Sequence, residues 1–182
     1  TDGPLDLRMN PQKGQSAAER LKELTEEELA GLLWENSDEP YAEEIAAEVM
    51  KTFQKGGRIE KTGDFRQVIE QALAFLPEKE RKDAVTKSCK RCFQALRIDV
   101  NSEFEVLYDF LQKLPQTLAP GAKVAILTFH SGEDRMVKKV FKQMKKEGIY
   151  SDVARDVIRP SADECVRNPR SRSTKMRWAI RA

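Results

Sequence analysis

One stretch of the chain changes abruptly from six apolar, strand-favouring residues to a polar cluster, and then to a helical pattern. The apolar run is VAILTF, from Val124 to Phe129, and the only histidine of the chain, His130, follows it directly. A continuous apolar run of this length is typical of a strand that is buried on both faces, as in a parallel sheet covered by helices. We therefore expect an α/β fold with a strand at this position.

The polar residues after this strand are candidates for a binding site. In open α/β sheets, ligands bind outside the carboxyl ends of the strands, which is where these residues fall. Ser131 has the side chain of a helix cap, so we expect it to cap the helix that follows. The candidate residues are His130, Ser131, Glu133, Asp134 and Arg135.

The chain between about residue 20 and residue 114 shows helical patterns throughout. Two pairs of residues have the spacing of a capping box, and each pair therefore predicts a helix start. These pairs are Ser16 with Glu19 and Thr25 with Glu28. A long helix is predicted from about Val85 to Leu114, because apolar residues recur there at helical spacing. The residues before Ser16 are rich in glycine and proline and predict a loop.

Apolar and charged residues alternate at the end of the chain, between Lys175 and Arg181. This alternation predicts a closing strand with one apolar face and one wetter face. The apolar residues of the strand are Met176, Trp178 and Ile180.

A cluster of cations precedes and overlaps this strand. The segment RNPRSRSTKMRWAIR contains Asn168 and no acidic residue, and its cations are Arg167, Arg170, Arg172, Lys175, Arg177 and Arg181. The guanidinium fork matches phosphate oxygens, so these residues are candidates for binding a phosphate backbone. A solvated basic segment is an equally good interpretation of the composition.

Composition excludes several classes of protein. The 182 residues, 40% hydrophobic and 34% charged, fit one globular domain or one domain with a small insertion. No apolar run approaches the roughly 20 residues that span a bilayer. The cysteines Cys89, Cys92 and Cys165 are too few for a disulfide framework, and a lone C-x-x-C with one histidine predicts no metal site. The net charge of +2 does not by itself indicate a nucleic-acid partner.

Part of the expected fold is not found in the sequence. One strand, turn and helix followed by a final strand is too little for a stable sheet. None of the nine glycines belongs to a G-x-G-x-x-G turn. We therefore expect the chain to be the carboxyl-terminal part of something longer.

Four motifs together resemble a known family. DGPLDLRMN, FQALRIDVNSEF, LAPGAKVAILTFHSGEDRMVK and NPRSRSTKMRWA resemble, in order and spacing, the bacterial-type small-subunit ribosomal RNA (cytosine-N4)-methyltransferases, the RsmH/MraW family. The resemblance spans essentially the whole chain. The chain departs from the family pattern at Leu7, Asn10, Gly132, Ser171 and residues 121–123. Of these departures, Gly132 is expected to remove an apolar contact beside the proposed site.

The resemblance implies a fold and a reaction. The implied fold is α/β, a partial class I (Rossmann-like) methyltransferase fold with an inserted all-α helical domain. Residues 1–20 and 95–182 would belong to the methyltransferase domain and residues 21–94 to the inserted substrate-recognition domain. The implied reaction is N4-methylation of a cytidine in small-subunit ribosomal RNA, with S-adenosyl-L-methionine as the methyl donor. The family's cofactor turn lies before the first residue here, so no cofactor-binding residue is assigned and the pocket is expected to be incomplete.

The resemblance also implies roles for the polar residues. A cytosine N4 is a weak nucleophile, so a site must orient and polarise the base, and the base must leave its stack. We expect His130, Asp2 and Asp6 to take part in catalysis. The residues expected to bind the RNA substrate are Arg8, Ser131, Glu133, Asp134, Arg135, Gln94, Arg97, Asn168, Arg170 and Arg172. The implied partner is small-subunit ribosomal RNA or the assembled small ribosomal subunit. The implied compartment is the bacterial cytoplasm or, less expected, a plastid or mitochondrion. No membrane partner is expected, and a homodimer is left open.

Structural roles compete with several of these assignments. His130 could lock its loop through hydrogen bonds, and Asp134 and Arg135 could serve helix capping and an ion pair. Gln94 and Arg97 could form a buried polar pair that fastens the helices to the sheet. Two other functions are also open: a non-catalytic RNA-binding or ribosome-assembly factor, and a helical protein-interaction module whose basic segment is incidental.

Overall fold

The computed structural model describes residues 2–182. The chain divides into two compact units, Thr1–Glu103 and Phe104–Ala182. The first unit is helical. In the second unit, helices accompany a three-stranded sheet.

The first unit contains five helices, and two of them begin at the predicted capping boxes. The helices are α1 (Ala17–Glu23), α2 (Glu26–Ser37), α3 (Ala42–Gln54), α4 (Thr62–Ala72) and α5 (Glu78–Val100). At the start of α1, the Glu19 N–H donates to Ser16 Oγ and the Ser16 N–H donates to the Glu19 carboxylate. Thr25 and Glu28 start α2 in the same way, so both predicted helix starts are confirmed.

One hydrophobic core is shared by these helices and the opening loop. Leu21, Leu33, Ile45 and Ile69 are fully buried within it. Leu5 is 1% exposed, and its N–H donates to the Glu60 carbonyl at 2.8 Å. Burial of Leu5 and this backbone hydrogen bond fix the opening loop against the helical core.

The long helix predicted from Val85 to Leu114 is interrupted, so this prediction was wrong in part. Helix α5 ends at Val100, and α6 (Glu103–Lys113) starts after a break. Ser102 has a φ of 49°, a left-handed conformation that cannot continue a right-handed helix. The Asn101 side chain caps the end of α5 by donating to the Arg97 carbonyl at 2.8 Å. Apolar residues continue at helical spacing on both sides of the break, so the sequence pattern does not reveal it.

The second unit continues from α6 through a short 3₁₀ helix (Leu114–Thr117). It then forms β1 (Lys123–Thr128), α7 (Ser131–Lys146), β2 (Tyr150–Val153), α8 (Ala162–Arg167), a second 3₁₀ helix (Pro169–Ser173) and β3 (Lys175–Arg181). The strand order is β1-β3-β2, and both pairs are antiparallel. The mixture of helices and strands agrees with the expected α/β class, whereas the expected parallel pairing of β1 is absent among residues 2–182. None of the described helices has the combined length and apolarity that a membrane crossing requires.

Helix α7 covers one face of the sheet. Its residues Val137, Val140 and Phe141 form a core with Val124 and Ala179 of the strands. On the other face, Leu127 is 58% exposed. The prediction that VAILTF is buried on both faces was therefore wrong for the described residues, because α7 packs against only one face.

The predicted faces of β3 also require a correction. The residues of this strand that are buried are Arg177 and Ala179, whereas Met176, Trp178 and Ile180 are only half-buried. Arg177 lies opposite Ile126, on the face that α7 covers. An arginine is accommodated there because Asp134 of α7 neutralises it.

Candidate functional site

His130 lies at the carboxyl end of β1 and is the N-cap of α7. Its Nδ1 accepts a hydrogen bond from the Glu133 N–H at 3.4 Å. The Glu133 carboxylate in turn accepts from the N–H of Phe129 at 2.9 Å and from that of His130 at 3.4 Å. Ser131 is already the first helical residue, so the prediction that Ser131 caps this helix was wrong. The imidazole nitrogen fills the acceptor position that a serine hydroxyl usually occupies.

Glu133 is held as a carboxylate. Burial raises its pKa, but the His130 imidazole and the Phe129 N–H together outweigh this effect and lower the pKa to about 2. His130 Nε2 lies 3.4 Å from Glu133 Oε1, although this contact lacks the direction of a hydrogen bond. Among residues 2–182, Nε2 is therefore a buried polar atom without a hydrogen-bond partner. A ligand that replaced the Glu133 contact would give this atom a partner, which makes Nε2 a candidate binding atom.

An aromatic ring closes the space beside this imidazole. The Phe104 ring on α6 lies 5.8 Å from the His130 ring, centroid to centroid, at an interplanar angle of 49°. A Cβ on Gly132 would lie 2.6 Å from Phe104 Cζ. Phe104 thus fills the space that a side chain at position 132 would need. We had expected Gly132 to leave the site without an apolar contact, and Phe104 of α6 supplies that contact instead.

Asp134 forms a buried ion pair with Arg177. The guanidinium donates from Nε to Asp134 Oδ1 at 2.7 Å and from Nη2 to Oδ2 at 3.1 Å, and the two side chains are 14% (Asp134) and 7% (Arg177) exposed. Of the roles considered for Asp134, the ion pair is therefore present. The sequence had placed Arg177 on the wetter face of the strand and among the cations suited to phosphate, and both predictions were wrong because its guanidinium is buried against Asp134. Ser131 and Arg135, on the first turn of α7, are exposed.

In the opening loop, Asp6 and Arg8 bind each other in a bidentate pair. Arg8 Nε donates to Asp6 Oδ1 at 2.6 Å and Nη2 donates to Oδ2 at 2.8 Å. The third donor group, Nη1, binds the Gly14 carbonyl at 2.8 Å. The Arg8 guanidinium lowers the pKa of Asp6. Arg8 is thus engaged within its own loop, and its predicted contact with RNA stays a prediction.

Asp2 is placed against the start of α4. Its Oδ1 accepts from the Gly63 N–H at 2.9 Å and from the Thr62 hydroxyl at 3.2 Å. The Gly63 N–H lowers the pKa of Asp2. The carboxylate therefore satisfies a free N–H at a helix start, which is a structural role beside the predicted catalytic one.

Gln94 and Arg97 do not form the polar pair that was considered for them. Gln94 Nε2 donates to the Asn36 carbonyl of α2 at 3.4 Å. Arg97 forms a bidentate pair with Glu103, at 2.8 and 3.0 Å. Each residue therefore has a partner of its own, although the i,i+3 spacing makes the two neighbours on the surface of α5. Their predicted contact with RNA stays a prediction.

Asn168, Arg170 and Arg172 lie together in and beside the second 3₁₀ helix. The Asn168 carbonyl accepts from the N–H and the hydroxyl of Ser171, at 2.9 and 2.8 Å. Ser171 is buried and fixes this turn. Arg170 and Arg172 are exposed, and within the described chain neither guanidinium has a hydrogen bond or an ion pair. They are the cations of this segment that are accessible to a phosphate.

The turn between β1 and α7 lies at the carboxyl end of a strand, where ligands bind in open α/β sheets. The N–H groups of Phe129 and His130 donate to the Glu133 carboxylate, and that of Glu133 donates to His130 Nδ1. These three N–H groups hold the His130 ring in place and are not available to a phosphate or a cofactor.

Comparison with known proteins identifies the family. The model of the MraW methylase family matches residues 1–182. The chain is 63% identical over 182 residues to "Ribosomal RNA small subunit methyltransferase H 1" of Lachnoclostridium phytofermentans, covering 100% of this chain and 50% of that protein. It is 63% identical over 181 residues to the protein of the same name from Agathobacter rectalis, covering 100% of this chain and 52% of that protein.

A more distant relative shows the same coverage. "Ribosomal RNA small subunit methyltransferase H" of Prochlorococcus marinus is 38% identical over 178 residues, which are 98% of this chain and 56% of that protein. The chain thus spans about half the length of the curated relatives that it matches. The resemblance carried by the four motifs is confirmed: the chain belongs to the MraW methylase family.

Proposed function

We propose that this chain is the part of a ribosomal RNA methyltransferase that receives and orients the target base. The whole protein would transfer a methyl group from S-adenosyl-L-methionine to N4 of a cytidine in small-subunit ribosomal RNA. The observation that carries the proposal is the 63% identity, over all 182 residues, to a relative named for ribosomal RNA small subunit methylation. The four sequence motifs support the finer assignment to cytidine N4.

The reaction requires orientation more than strong acid or base chemistry. The lone pair of a cytosine N4 is delocalised into the ring, so a site must hold the amine in line with the methyl group and polarise the base. His130 suits this role because its Nε2 has no hydrogen-bond partner among residues 2–182 while its Nδ1 is fixed by the Glu133 N–H. An imidazole held in this way can bind the base without first reorganising. Asp6 and Arg8 offer a second fixed polar group, in the opening loop.

The exposed guanidinium groups of Arg170 and Arg172 suit the RNA backbone. Contacts of this kind give affinity that is independent of sequence and weakens with salt. Base choice would therefore depend on the site residues, and affinity on the arginines.

The methyl donor supplies an electrophilic methyl group when it is bound. No residue of this chain is assigned to hold it, and three N–H groups of the turn after β1 are already bonded to His130 and Glu133. No step of the transfer is therefore assigned to a cofactor contact in this chain. The proposed contributions of the chain are to bind the RNA, orient the base and exclude water.

The test is methyl transfer by the full-length protein. Small ribosomal subunits that lack the modification are incubated with the protein and radiolabelled S-adenosyl-L-methionine, and the labelled nucleoside is identified by mass spectrometry. Label on N4 of a cytidine is the expected result. Tight binding of the subunit without any label would support the RNA-binding or assembly factor instead, and failure to bind RNA at any salt concentration would support the protein-interaction module.

A further inference from the structure

Leu7 has a backbone conformation that its side chain does not favour. Its φ is 64°, in the left-handed region. For a residue with a branched apolar side chain this conformation costs about 1–2 kcal/mol. Asp38 and Ser102 also have positive φ. Leu7 differs from them because it has no polar side-chain atom to hydrogen-bond locally, so another group must hold it in this conformation.

The Asn101 side chain supplies the missing restraint. Its Oδ1 accepts from the Met9 N–H at 2.7 Å, and its Nδ2 donates to the Leu7 carbonyl at 2.9 Å. One amide group therefore pairs with a donor and an acceptor that lie on either side of Arg8. This is the hydrogen-bonding pattern that one residue of a neighbouring parallel strand would provide.

Asn101 is itself fixed at the end of α5. The second hydrogen of its Nδ2 goes to the Arg97 carbonyl at 2.8 Å, and its own N–H donates to the same carbonyl at 3.2 Å. The preceding turn is tied to α1, where Arg20 Nε binds Asp99 Oδ2 at 2.9 Å. A helix cap needs only the bonds to Arg97. The two bonds to the loop, across 92 and 94 residues of sequence, have no capping role.

We propose that Asn101 is a positioning residue, which holds residues 7–9 in their strained conformation and thereby aims the Asp6–Arg8 pair. Arg8 lies between the two clamped residues, and its guanidinium closes onto Asp6 and the Gly14 carbonyl. The direction in which the Asp6–Arg8 pair points therefore depends on the backbone that Asn101 holds. This inference rests on the proposed function, because the loop matters for methyl transfer only if its polar pair acts on the RNA.

The experiment compares two changes at Asn101 with a change that relieves the strain. Asn101→Ala removes both bonds to the loop. Asn101→Asp keeps an acceptor for the Met9 N–H, but it loses the donor and turns an anion towards two carbonyl groups. Leu7→Gly allows positive φ without a steric penalty, because glycine has no Cβ. Asn36→Ala is the matched control, since it removes one asparagine bond to the backbone, that to the Ala95 carbonyl, without touching the loop.

Two measurements separate a positioning role from a structural one. Amide hydrogen exchange reports the Met9 N–H, and steady-state kinetics of the full-length protein report kcat and KM for the ribosomal subunit. In Asn101→Ala we expect Met9 exchange to rise at least ten-fold and kcat to fall at least ten-fold, with KM changing less than three-fold. Asn101→Asp should retain most of the Met9 protection and still lose kcat. Adding Leu7→Gly to Asn101→Ala should recover at least a third of the lost kcat.

Four results would overturn the inference. Unchanged Met9 exchange in Asn101→Ala, or the same rise in the Asn36→Ala control, would show that Asn101 does not hold the loop. Faster exchange with unaltered kcat would show that the clamp exists but positions nothing needed for transfer, and the proposed function would stand. A wild-type protein that methylates no subunit would remove the proposed function, and the positioning role with it.

Discussion

His130 uses its two ring nitrogens for different purposes. Nδ1 accepts the Glu133 N–H and starts α7, whereas Nε2 has no hydrogen-bond partner among residues 2–182. The sequence left a structural and a functional histidine as alternatives. In the structure Nδ1 caps α7. The binding of the target base by Nε2 is our proposal. The two roles can therefore be separated by mutation.

Asparagine at position 130 should separate them. His130→Asn keeps a good N-cap, so we expect its free energy of unfolding to stay within about 0.5 kcal/mol of the wild type. His130→Ala loses the cap and should lose about 1 kcal/mol. Both variants lack Nε2 and should methylate the subunit at least about ten-fold more slowly, the lower end of what a positioned polar group contributes. The measurements are urea denaturation and initial rates. Full activity in His130→Asn would leave His130 with a capping role only.

Glu133 should make the free energy of unfolding depend on pH in the acid range. Its pKa of about 2 in the folded chain is lower than the 4.5 of an ordinary glutamate. The carboxylate therefore stabilises the fold fully above pH 4.5, and this contribution is lost as the pH falls towards 2. Compared with Glu133→Gln, the wild type should be more stable at pH 7 by up to about 3 kcal/mol, and this advantage should shrink at pH 3. Urea denaturation at several pH values measures it. A difference that is constant between pH 7 and pH 3 would contradict the expectation.

At the scale of elements, α7 is joined to the sheet by apolar packing and by the Asp134–Arg177 pair. The pair is buried and bidentate, so removing one partner leaves an uncompensated charge. We expect Arg177→Ala to destabilise the fold by about 3–5 kcal/mol. The double variant Arg177→Met with Asp134→Leu should recover most of this loss, because well-packed apolar residues often replace a buried pair without penalty. A double variant that is no more stable than Arg177→Ala would contradict this expectation, because the loss would then not come from the unpaired charge of Asp134.

The junction of α6 and α7 allows a second test at this scale. A Cβ at position 132 would clash with the Phe104 ring, so Gly132→Ala should destabilise the wild type by about 1–3 kcal/mol. In a Phe104→Ala background the ring is gone and only His130 Nδ1, at 3.3 Å, would lie close to the added Cβ, so the same change should cost less than in the wild type. A double-mutant cycle measures the difference. Equal effects in the two backgrounds would show that Phe104 does not fill the space at position 132.

Local signals in the sequence were sufficient for some elements and not for others. The capping boxes at Ser16 and Thr25 were predicted because both partners lie within three residues of each other. The cap of α7 was assigned to Ser131, since a serine is the usual N-cap and an imidazole acceptor is uncommon there. The burial of Arg177 depends on an aspartate 43 residues away, which no alternation pattern reveals. The role of Asn101 was missed for the same reason, because its partners in the opening loop are more than 90 residues distant.

For the whole molecule, charge distribution matters more than net charge. The net charge is only +2, yet Arg170 and Arg172 lie exposed on one short turn that Ser171 holds. A protein that is nearly neutral overall can bind RNA through such a turn, since each phosphate contact releases counterions locally. The segment was predicted from composition, whereas the exposure of Arg170 and Arg172, and their lack of ion pairs within residues 2–182, could be seen only in the fold.

Removal of the two arginines should change the salt dependence of binding. In Arg170→Ala with Arg172→Ala, we expect weaker RNA affinity and a plot of log K against log salt that is flatter by about 0.7 for each lost phosphate contact. Lys138→Ala with Lys139→Ala removes the same charge from an exposed face of α7 and is the control. Filter binding at several salt concentrations measures both slopes. An equal change in the control would mean that net charge, and not this turn, governs binding.

The strand order sets a sequence of events during synthesis. The middle strand of the sheet is β3, and β1 and β2 each pair only with it among the described residues. The ribosome makes both outer strands before the strand that joins them, so neither can form its ladder while the chain is still growing through residue 174. The helices of the first unit have no such requirement and can fold as they emerge. The β1–β3 and β2–β3 ladders can therefore form only after residues 175–181 have been made, and an apolar strand edge that waits for its partner is a place where a nascent chain can misfold or aggregate.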